Sequence, residues 1–329
     1  MQKINNFWYK LKETGKPILA LAPMAGFTNS SFRILCKDQG ADVVYSEMAS
    51  VAALYYAGTK NSQEGSAAIT KDLLKFDESL ERPYVVQLFG SNPEHFALAA
   101  KIVTQEIKPD GIDINFGCPV PKVIKQGAGA SLMQDLSRSR AVIEAVLANT
   151  HLPVSIKIRE ASGDVDALDF LENISDLNVS ALMIHGRTLK QGFVGDVDHR
   201  LAREARKYFK GIILTNGGIN TLKNAQQALI DSGADGLGLA RGILGRPWLF
   251  SEIKNNKEYQ LSNQEIFDLM IRQAEVLVKT KGESALIELR KHLVWYAQGF
   301  KNAKFLREGL VAIESIEGIK KVVSDYKKL

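Results

Sequence analysis

Five polar side chains occur at matching places in the sequence, each at or just past the end of an apolar run. They are Gln87, Asn115, Lys157, His185 and Asn216. One polar residue after an apolar strand is usually an ordinary loop residue, but five at corresponding positions indicate a shared site. The carboxyl ends of parallel strands meet at one face of a barrel, and barrel enzymes have their active sites there. We therefore expect these side chains to converge.

Two glycine-containing loops indicate a phosphate-binding site. Asn216-Gly217-Gly218 follows the seventh predicted strand, and Ala240-Arg241 follows the eighth. Glycine lets backbone N–H groups approach an anion closely, and arginine adds a bidentate charge. Either loop alone is explained by turn formation, but in a (β/α)8 barrel these two loops are the usual phosphate site. Gly236-Leu-Gly238-Leu-Ala-Arg-Gly242 and Gly127-Ala-Gly129 look like dinucleotide fingerprints but lack the G-x-G-x-x-G spacing, so no Rossmann-type nicotinamide site is expected.

Lys157 lies within the apolar run VSIKI, where a barrel interior is expected. Lysine is seldom buried without a partner or a task. Its ammonium group could stabilise negative charge on a reduced flavin, or it could form a Schiff base as in an aldolase-like barrel. The residues alone leave these two chemistries open.

Cys118 stands between Gly117 and Pro119, just beyond the fourth predicted strand. This setting favours an exposed thiol on the active face, although a single cysteine is more often a small buried hydrophobe. A protonated thiol can act as a proton donor, with nearby cations stabilising the thiolate that remains. A cysteine nucleophile would instead need a histidine base, for which His185 is the candidate. Cys36 is expected in the core.

Eight short apolar runs alternate with helix-length amphipathic segments up to about residue 242. The runs predict strands at Ile18–Pro23, Val43–Ser46, Tyr84–Phe89, Gly111–Asn115, Val154–Ile158, Ala181–His185, Gly211–Asn216 and Gly236–Ala240. Such continuous runs are typical of parallel strands buried on both faces. Helices are predicted at Pro93–Ile107, Ser137–Asn149, Val165–Leu177, Asp198–Phe209 and Thr221–Ser232, with Asn92, Ser137 and Thr221 as caps. The fold class is therefore α/β, a (β/α)8 TIM barrel, with a doubly wound sheet as the competing architecture.

The pattern becomes helical near the carboxyl end. Helices are predicted at Asn263–Lys281, Ser284–Phe300, Ala303–Ser315 and Ile319–Lys327, separated by Gly282, Gly299 and Gly318. We therefore divide the chain into a catalytic barrel, residues 1–254 with a short extension at 1–16, and a small all-helical domain, residues 255–329. The net charge is +5, and residues 251–329 carry 14 basic against 11 acidic side chains. This excess is compatible with a polyanionic partner.

Composition narrows the class of protein further. The 329 residues, 45% hydrophobic and 24% charged, suffice for one barrel of roughly 250 residues and a smaller domain. Two cysteines exclude a disulfide framework, and the histidines show no zinc-ligand spacing. Four of them are expected at the surface or at caps: His95, His151, His199 and His292. Since no apolar run approaches the roughly 20 residues that span a bilayer, we expect a cytoplasmic protein with no metal, membrane contact or obligate protein partner.

Seven motifs occur in a fixed order along the chain. They are Ala22-Pro23-Met24-Ala25-Gly26, Val86-Gln87-Leu88, Asp113-Ile-Asn115-Phe-Gly-Cys118-Pro119, Lys157-Ile-Arg159, His185-Gly-Arg187-Thr188, Asn216-Gly217-Gly218 and Ala240-Arg241-Gly242. This ordered set resembles the tRNA-dihydrouridine synthase family and is far more specific than any single motif. The tail Leu289-Arg-Lys-His-Leu-Val-Trp-Tyr296 is similar to the B-type bacterial branch. The resemblance runs from about Ile18 to Ile316.

The resemblance implies a bound FMN, NADPH as reductant and a tRNA substrate. The flavin ring and ribityl chain would contact the backbone of Pro23, Met24 and Ala25 and the side chains of Gln87, Lys157 and His185. The phosphate end would contact Asn216, Gly217, Gly218, Ala240 and Arg241. Asn115, Arg159 and Arg187 would bind the target uracil. Hydride would pass from FMN N5 to C6 of a D-loop uracil, and Cys118 would protonate C5 from the opposite face.

A uracil inside folded tRNA must be turned out of its stack to reach such a pocket. Phosphate contacts from basic side chains could offset that cost. The residues expected to make them are Arg187, Arg290, Lys291 and Lys304.

Two places depart from the family pattern, and three rival functions stay open. Gly218 stands where the B-type pattern commonly has aspartate, and Leu189–Phe193 is less typical, which could alter the uridine chosen. A related flavin barrel could act on a free pyrimidine, but the basic helical domain argues against it. A catalytically inactive tRNA-binding barrel leaves Cys118 and Lys157 without a task. An aldolase using Lys157 would be colourless.

Overall fold

The computed structural model describes residues 6–59 and 66–329, so the first five residues of the predicted extension lie outside the described part. Within that part the strands are β1 Ile18–Leu21, β2 Val43–Tyr45, β3 Ala49–Ser50, β4 Tyr84–Phe89, β5 Gly111–Asn115, β6 Val154–Arg159, β7 Ala161–Ser162, β8 Val165–Asp166, β9 Ala181–His185, β10 Ile212–Asn216 and β11 Gly236–Leu239. Eight of them pair in parallel in the order β2-β1-β11-β10-β9-β6-β5-β4, and pairing of β2 with β4 closes the barrel. The predicted TIM barrel is confirmed.

The barrel strands divide their side chains between two hydrophobic layers. Alternate residues of the strands, such as Ile18 and Ala20 of β1 and Met183 of β9, pack inside the barrel together with Trp8. The intervening residues, such as Leu19 and Leu21, pack outward against the helices. This two-residue period explains why the strands read as continuous apolar runs, because both faces are buried.

Helices cover the outside of the barrel and form the carboxyl-terminal part. Their bounds are α1 Phe7–Glu13, α2 Ser30–Asp38, α3 Val51–Thr59, α4 Ser66–Leu73, α5 Pro93–Ile102, α6 Pro121–Ile124, α7 Ala130–Met133, α8 Leu136–Leu147, α9 Ala167–Asn173, α10 Leu201–Glu204, α11 Leu222–Ser232, α12 Leu249–Asn255, α13 Asn263–Lys281, α14 Leu286–Tyr296, α15 Ala303–Leu310 and α16 Ile316–Tyr326. Helix α1 supplies Trp8 to the barrel interior, and its preceding residue Asn6 bonds Ser180 just before β9. It therefore covers the amino-terminal end of the barrel.

Several predicted helix details are wrong. Helix α8 is capped by Asp135, which accepts a hydrogen bond from the N–H of Arg138, and not by Ser137. Gly318 lies inside α16 and does not separate helices, because Ser315 caps that helix three residues earlier. The predicted helix 198–209 is shorter, since only α10 and one 3-10 turn form there. The caps Asn92 and Thr221 are confirmed.

The carboxyl-terminal helices share a hydrophobic cluster that reaches the barrel layer. Phe267 and Met270 of α13 and Leu289 and Leu293 of α14 are buried in it, together with Leu35 of α2. Helix α13 begins with a complete capping box at Ser262, as its predicted start requires. No helix in the described ranges is long and apolar enough to span a membrane.

The seam between β1 and β11 predicts a stability effect. A Cβ atom at Gly236 would lie 2.1 Å from the carbonyl oxygen of Ile18, and backbone atoms cannot move aside cheaply. We expect Gly236→Ala to lower the free energy of unfolding by about 2 kcal/mol or more. Gly318→Ala is the matched control, because its Cβ would meet nothing nearer than 3.4 Å. In a helix it should stabilise by about 0.5–1 kcal/mol. Chemical unfolding followed by circular dichroism checks both, and equal effects would contradict the steric argument.

Candidate active site

The strand register brings the polar side chains together at the carboxyl end of the barrel. Asn115 of β5 pairs with Lys157 of β6, and Gln87 of β4 pairs with Asp113, two residues before Asn115 on β5. On the other side His185 of β9 pairs with Asn216 of β10. All five residues are at strand positions whose side chains project into the barrel, so they line the same end of its interior.

A continuous hydrogen-bond chain connects three of the strands. Ser155 Oγ donates to Asp113 Oδ1 over 2.6 Å, and Gln87 Nε2 donates to Asp113 Oδ2 over 2.8 Å. Asn115 Nδ2 in turn donates to Gln87 Oε1 over 2.9 Å. The Asn115 side-chain oxygen accepts from the N–H groups of Gly117 and Cys118. Asn115 thus shapes the turn that carries the thiol.

The Cys118 thiol is half-buried on this turn, unlike Cys36, which is fully buried in the core as predicted. Burial raises the pKa of Cys118 above its ordinary value, while Arg159 and Lys157 pull in the opposite direction. The thiol is therefore protonated at neutral pH and can donate a proton. The two cations are placed to stabilise the thiolate that such a donation leaves.

Lys157 and His185 carry strongly shifted pKa values. Burial and the neighbouring Arg159 lower the pKa of Lys157 to about 8, so it stays largely protonated at neutral pH. Burial, followed by the nearby cations, lowers the pKa of His185 to about 2. His185 is therefore a neutral imidazole in this site. It can donate or accept one hydrogen bond, but it cannot act as an imidazolium acid.

Arg159 joins the two loops that flank the thiol. Its Nε donates to the carbonyl of Gly117 over 2.7 Å, and its Nη1 donates to the carbonyls of Thr188 and Gly192. The side chain is only 2% exposed. Three carbonyl dipoles therefore hold this guanidinium in place.

The glycines after β10 form a cradle that a larger residue would fill. Gly217 and Gly218 have φ values of +112° and +66°, and a Cβ at Gly217 would lie 2.6 Å from the His185 ring. Within the described part of the chain their N–H groups make no hydrogen bond. Asn216 holds the loop by donating to the carbonyl of Gly238 over 2.6 Å. Two free N–H groups beside the exposed Arg241, which follows Ala240 after β11, fit a phosphate group.

An aromatic residue covers the arginine at this cradle. Phe193, half-exposed on the loop after β9, has its ring centre 4.1 Å from the Arg241 guanidinium carbon and 5.7 Å from that of Arg159. Arg187 fixes the same loop by donating through Nε and Nη2 to the carbonyl of Gly195. The loop that departs from the family pattern is thus bound to three arginines at the site.

The loop after β1, with Pro23, Met24 and Ala25, follows a strand that is the direct neighbour of β11 in the barrel. The Met24 carbonyl accepts from the N–H groups of Phe27 and Thr28, which folds the loop into a tight turn. The N–H of Gly26 donates to the carboxylate of Glu47. Helix α14 packs on this turn, with Lys291 Nζ over the ring of Phe27.

Sequence reasoning missed three residues of this site and misplaced one histidine. Asp113, Ser155 and Phe193 were not among the expected site residues, although a charged residue in the inward phase of an apolar strand could have identified Asp113. His292 was expected at the surface or at a cap, which is wrong. It is 1% exposed and packs between the rings of Phe27 and Phe32.

The fold and the site define a class: a closed parallel (β/α)8 barrel with a polar, cation-rich site at the carboxyl ends of its strands. Residues 20–328 match the family model described as Dihydrouridine synthase (Dus). A probable tRNA-dihydrouridine synthase of Aquifex aeolicus (strain VF5) is 31% identical over 312 residues, covering 94% of this chain and 95% of the relative. One of Rickettsia conorii (strain ATCC VR-613 / Malish 7) is 31% identical, covering 94% and 92%.

The chain belongs to the dihydrouridine synthase family, so the expected resemblance and enzyme class are confirmed. Among solved structures, the old yellow enzyme homologue from Zymomonas mobilis is similar, with a TM-score of 0.50 and 14% identity. The match covers 76% of this chain and 91% of that one. At this identity the likeness shows the shared barrel fold.

The charges around Cys118 predict its reactivity. Iodoacetamide reacts with the thiolate, so a raised pKa means that the alkylation rate still climbs above pH 9. We expect Lys157→Met to slow alkylation at pH 7, where Lys157 is mainly protonated, by about two- to tenfold, because losing a nearby cation raises the thiol pKa and each unit changes the thiolate fraction tenfold. Lys122→Met is the control, since exposed Lys122 is not among the charges that shift this thiol. Mass spectrometry locates the adduct. Equal rates in the two variants would show that the Lys157 charge does not reach the thiol.

Proposed function

We propose that this chain reduces uridine in the D-loop of tRNA to 5,6-dihydrouridine, using FMN bound at the carboxyl end of the barrel and NADPH as reductant. The observation that carries the proposal is the turn of Cys118, which the side-chain oxygen of Asn115 holds and near which the cations Lys157 and Arg159 lie. The names of its relatives give the same activity. A tRNA substrate and a bound nucleotide cofactor fit a cytoplasmic enzyme.

Different residues of the site would bind the phosphate end and the ring of FMN. Gly217, Gly218, Asn216, Ala240 and Arg241 would hold the phosphate end, since this cradle offers free N–H groups and one exposed guanidinium. The backbone of Pro23, Met24 and Ala25 would support the ring, with the side chains of Gln87, Lys157 and His185 along its polar edge. When bound, FMN supplies the hydride that reduces the uracil at C6.

The protein's own contribution is to orient the base and to move one proton. Asn115 and Arg159 would hold the uracil, with Arg187 at the outer edge of the pocket. Cys118 would donate its proton to C5, and Lys157 and Arg159 would stabilise the thiolate that remains. Because His185 is neutral, it would orient the ring without competing as an acid.

We propose that residues 1–254 carry the reaction and that the helical residues 255–329 bind tRNA. Lys291 and Lys304 are exposed cations there, and Lys291 lies directly over the β1 loop. The guanidinium groups of Arg290 and Arg187 are bound to the carbonyls of Ile313 and Gly195. These two would contact tRNA through the N–H groups that those bonds leave free.

Mass spectrometry of cellular tRNA tests the reaction. In a strain that lacks its own dihydrouridine synthases, expression of this chain should restore dihydrouridine at one mapped D-loop position. Cys118→Ala should leave a yellow, FMN-containing protein and reduce the product at least about a hundredfold, because general acid catalysis contributes roughly that much. Cys36→Ala, in the buried core, is the matched control. If the wild-type protein is yellow but forms no dihydrouridine, tRNA is not its substrate and free pyrimidines are tested next. If the wild-type protein is colourless, the proposal that it binds a flavin is wrong.

Salt dependence of tRNA binding tests the helical surface. Lys291→Ala should weaken binding and reduce the slope of log affinity against log salt by about one, because one phosphate contact is lost. Lys108→Ala is the control, since exposed Lys108 precedes β5 at the amino-terminal end of the barrel. Filter binding between low and physiological salt measures both slopes. Identical slopes would place the tRNA elsewhere.

A further inference from the structure

Asp113 is a fully buried carboxylate for which the proposed reaction has no task. It is 0% exposed and precedes Asn115 by two residues on β5, so its side chain also projects into the barrel, one layer deeper. Both carboxylate oxygens are occupied, one by Ser155 and the other by Gln87. Within the described residues it forms no ion pair, and burial raises the pKa of Asp113 to about 6, although the hydrogen bonds of Ser155 and Gln87 and the charge of Lys157 oppose that shift. The carboxyl group is therefore mainly ionised at neutral pH. Burying such a group is costly unless those bonds are made.

The chemistry of a carboxylate dictates the direction of the amides above it. An ionised carboxylate only accepts hydrogen bonds, so Gln87 must turn its NH2 group toward Asp113. The Gln87 oxygen then faces Asn115, which must answer with its own NH2 group. The Asn115 oxygen is thereby turned toward the N–H groups of Gly117 and Cys118. Reversing either amide would place two acceptors against each other.

We propose that Asp113 is a positioning residue, whose carboxylate fixes the orientation of the Gln87 and Asn115 amides and so holds the Cys118 turn in its working geometry. The inference rests on the proposed function for the identity of the reaction, but the positional claim concerns the protein alone. Asp113 touches neither the thiol nor the space above it. It acts through two side chains and a turn.

Three variants distinguish whether Asp113 acts by orienting the two amides, by its negative charge or by packing. Asp113→Ala removes the acceptor and leaves Gln87 free to turn. Asp113→Asn keeps one acceptor, because its oxygen can face Gln87 while its NH2 group faces the Ser155 hydroxyl, which is able to accept. Ser155→Ala removes the partner of the other oxygen and leaves the chain from Asp113 to Cys118 intact.

The first measurement is alkylation of Cys118 by iodoacetamide across pH, which needs neither tRNA nor turnover. The titration midpoint reports the thiol pKa, and the plateau reports access to the thiolate. Cys36 is an internal reference, because it is fully buried in the folded protein. We expect Asp113→Ala to raise the plateau rate at least about fivefold, since Gln87 can then turn and Asn115 is no longer held toward the N–H groups of Gly117 and Cys118. Asp113→Asn and Ser155→Ala should stay within about twofold of the wild type.

The second measurement is steady-state dihydrouridine formation on unmodified tRNA transcript. Asp113→Ala should lower kcat at least about tenfold and leave the KM for tRNA within twofold, because the tRNA surface is untouched. Asp113→Asn should recover most of kcat. If Asp113→Asn is as slow as Asp113→Ala, the carboxylate acts through its charge, and the proposal that it orients the amides is wrong. If Ser155→Ala is as slow as Asp113→Ala, the loss of activity comes from disturbed packing, and the proposal that Asp113 orients the amides is wrong.

Two further outcomes keep the inference distinguishable from the proposed function. If no variant and not even the wild type forms dihydrouridine, the proposed function fails, while a plateau rate raised only in Asp113→Ala still supports the positional claim. If Asp113→Ala does not fold, Gln87→Met breaks the same chain one link later and should raise the Cys118 plateau rate equally. An unchanged rate in a folded Asp113→Ala or Gln87→Met variant would overturn the proposal.

Discussion

Closure of the barrel between β2 and β4 forces alternate side chains of eight parallel strands into one narrow interior. The lower part of that interior is filled by apolar residues such as Ile18, Val43 and Ile212 around Trp8. The last inward position of each strand lies at the carboxyl end, where no further layer covers it. Polar residues collect there, because an inward polar residue below that position loses water and is stable only with hydrogen-bond partners, as Asp113 is with Ser155 and Gln87. Register therefore decides which residues can belong to the site.

The site is dominated by cations that repel one another. Burial first, and then repulsion by neighbouring cations, lowers the pKa values of Lys157, Arg159, Arg241 and His185. Arg187 is one of the cations that contribute to this repulsion. Such a cluster is stable without a bound anion only where dipoles compensate it. The carbonyl groups of Gly117, Thr188, Gly192 and Gly195 do so, since each accepts from an arginine. The site thus has fixed positive potential before any substrate arrives, which is the arrangement that stabilises a developing anion most effectively.

The barrel strands were predictable to within two residues at each end, because the apolar runs follow directly from burial on both faces. The polar residues at their carboxyl ends were predictable for the same reason. The role of Asp113 was not, since its partners Gln87 and Ser155 lie 26 and 42 residues away along the chain. His292 was misplaced because its burial depends on docking of α14 against Phe27 and Phe32, a contact between distant segments that no local pattern records.

That docking joins the helical segment to the loop after β1. The β1 loop is anchored from below by Arg33, which is fully buried, pairs with Glu81 and donates to the carbonyl of Thr28. Breaking a buried pair of this kind costs roughly 3–5 kcal/mol, so the base of the loop is rigid. Its upper side is covered by α14, through the ring contact of Phe27 with His292 and the cation of Lys291. The loop that carries Met24 and Ala25 is therefore held between a buried ion pair on one side and α14 on the other.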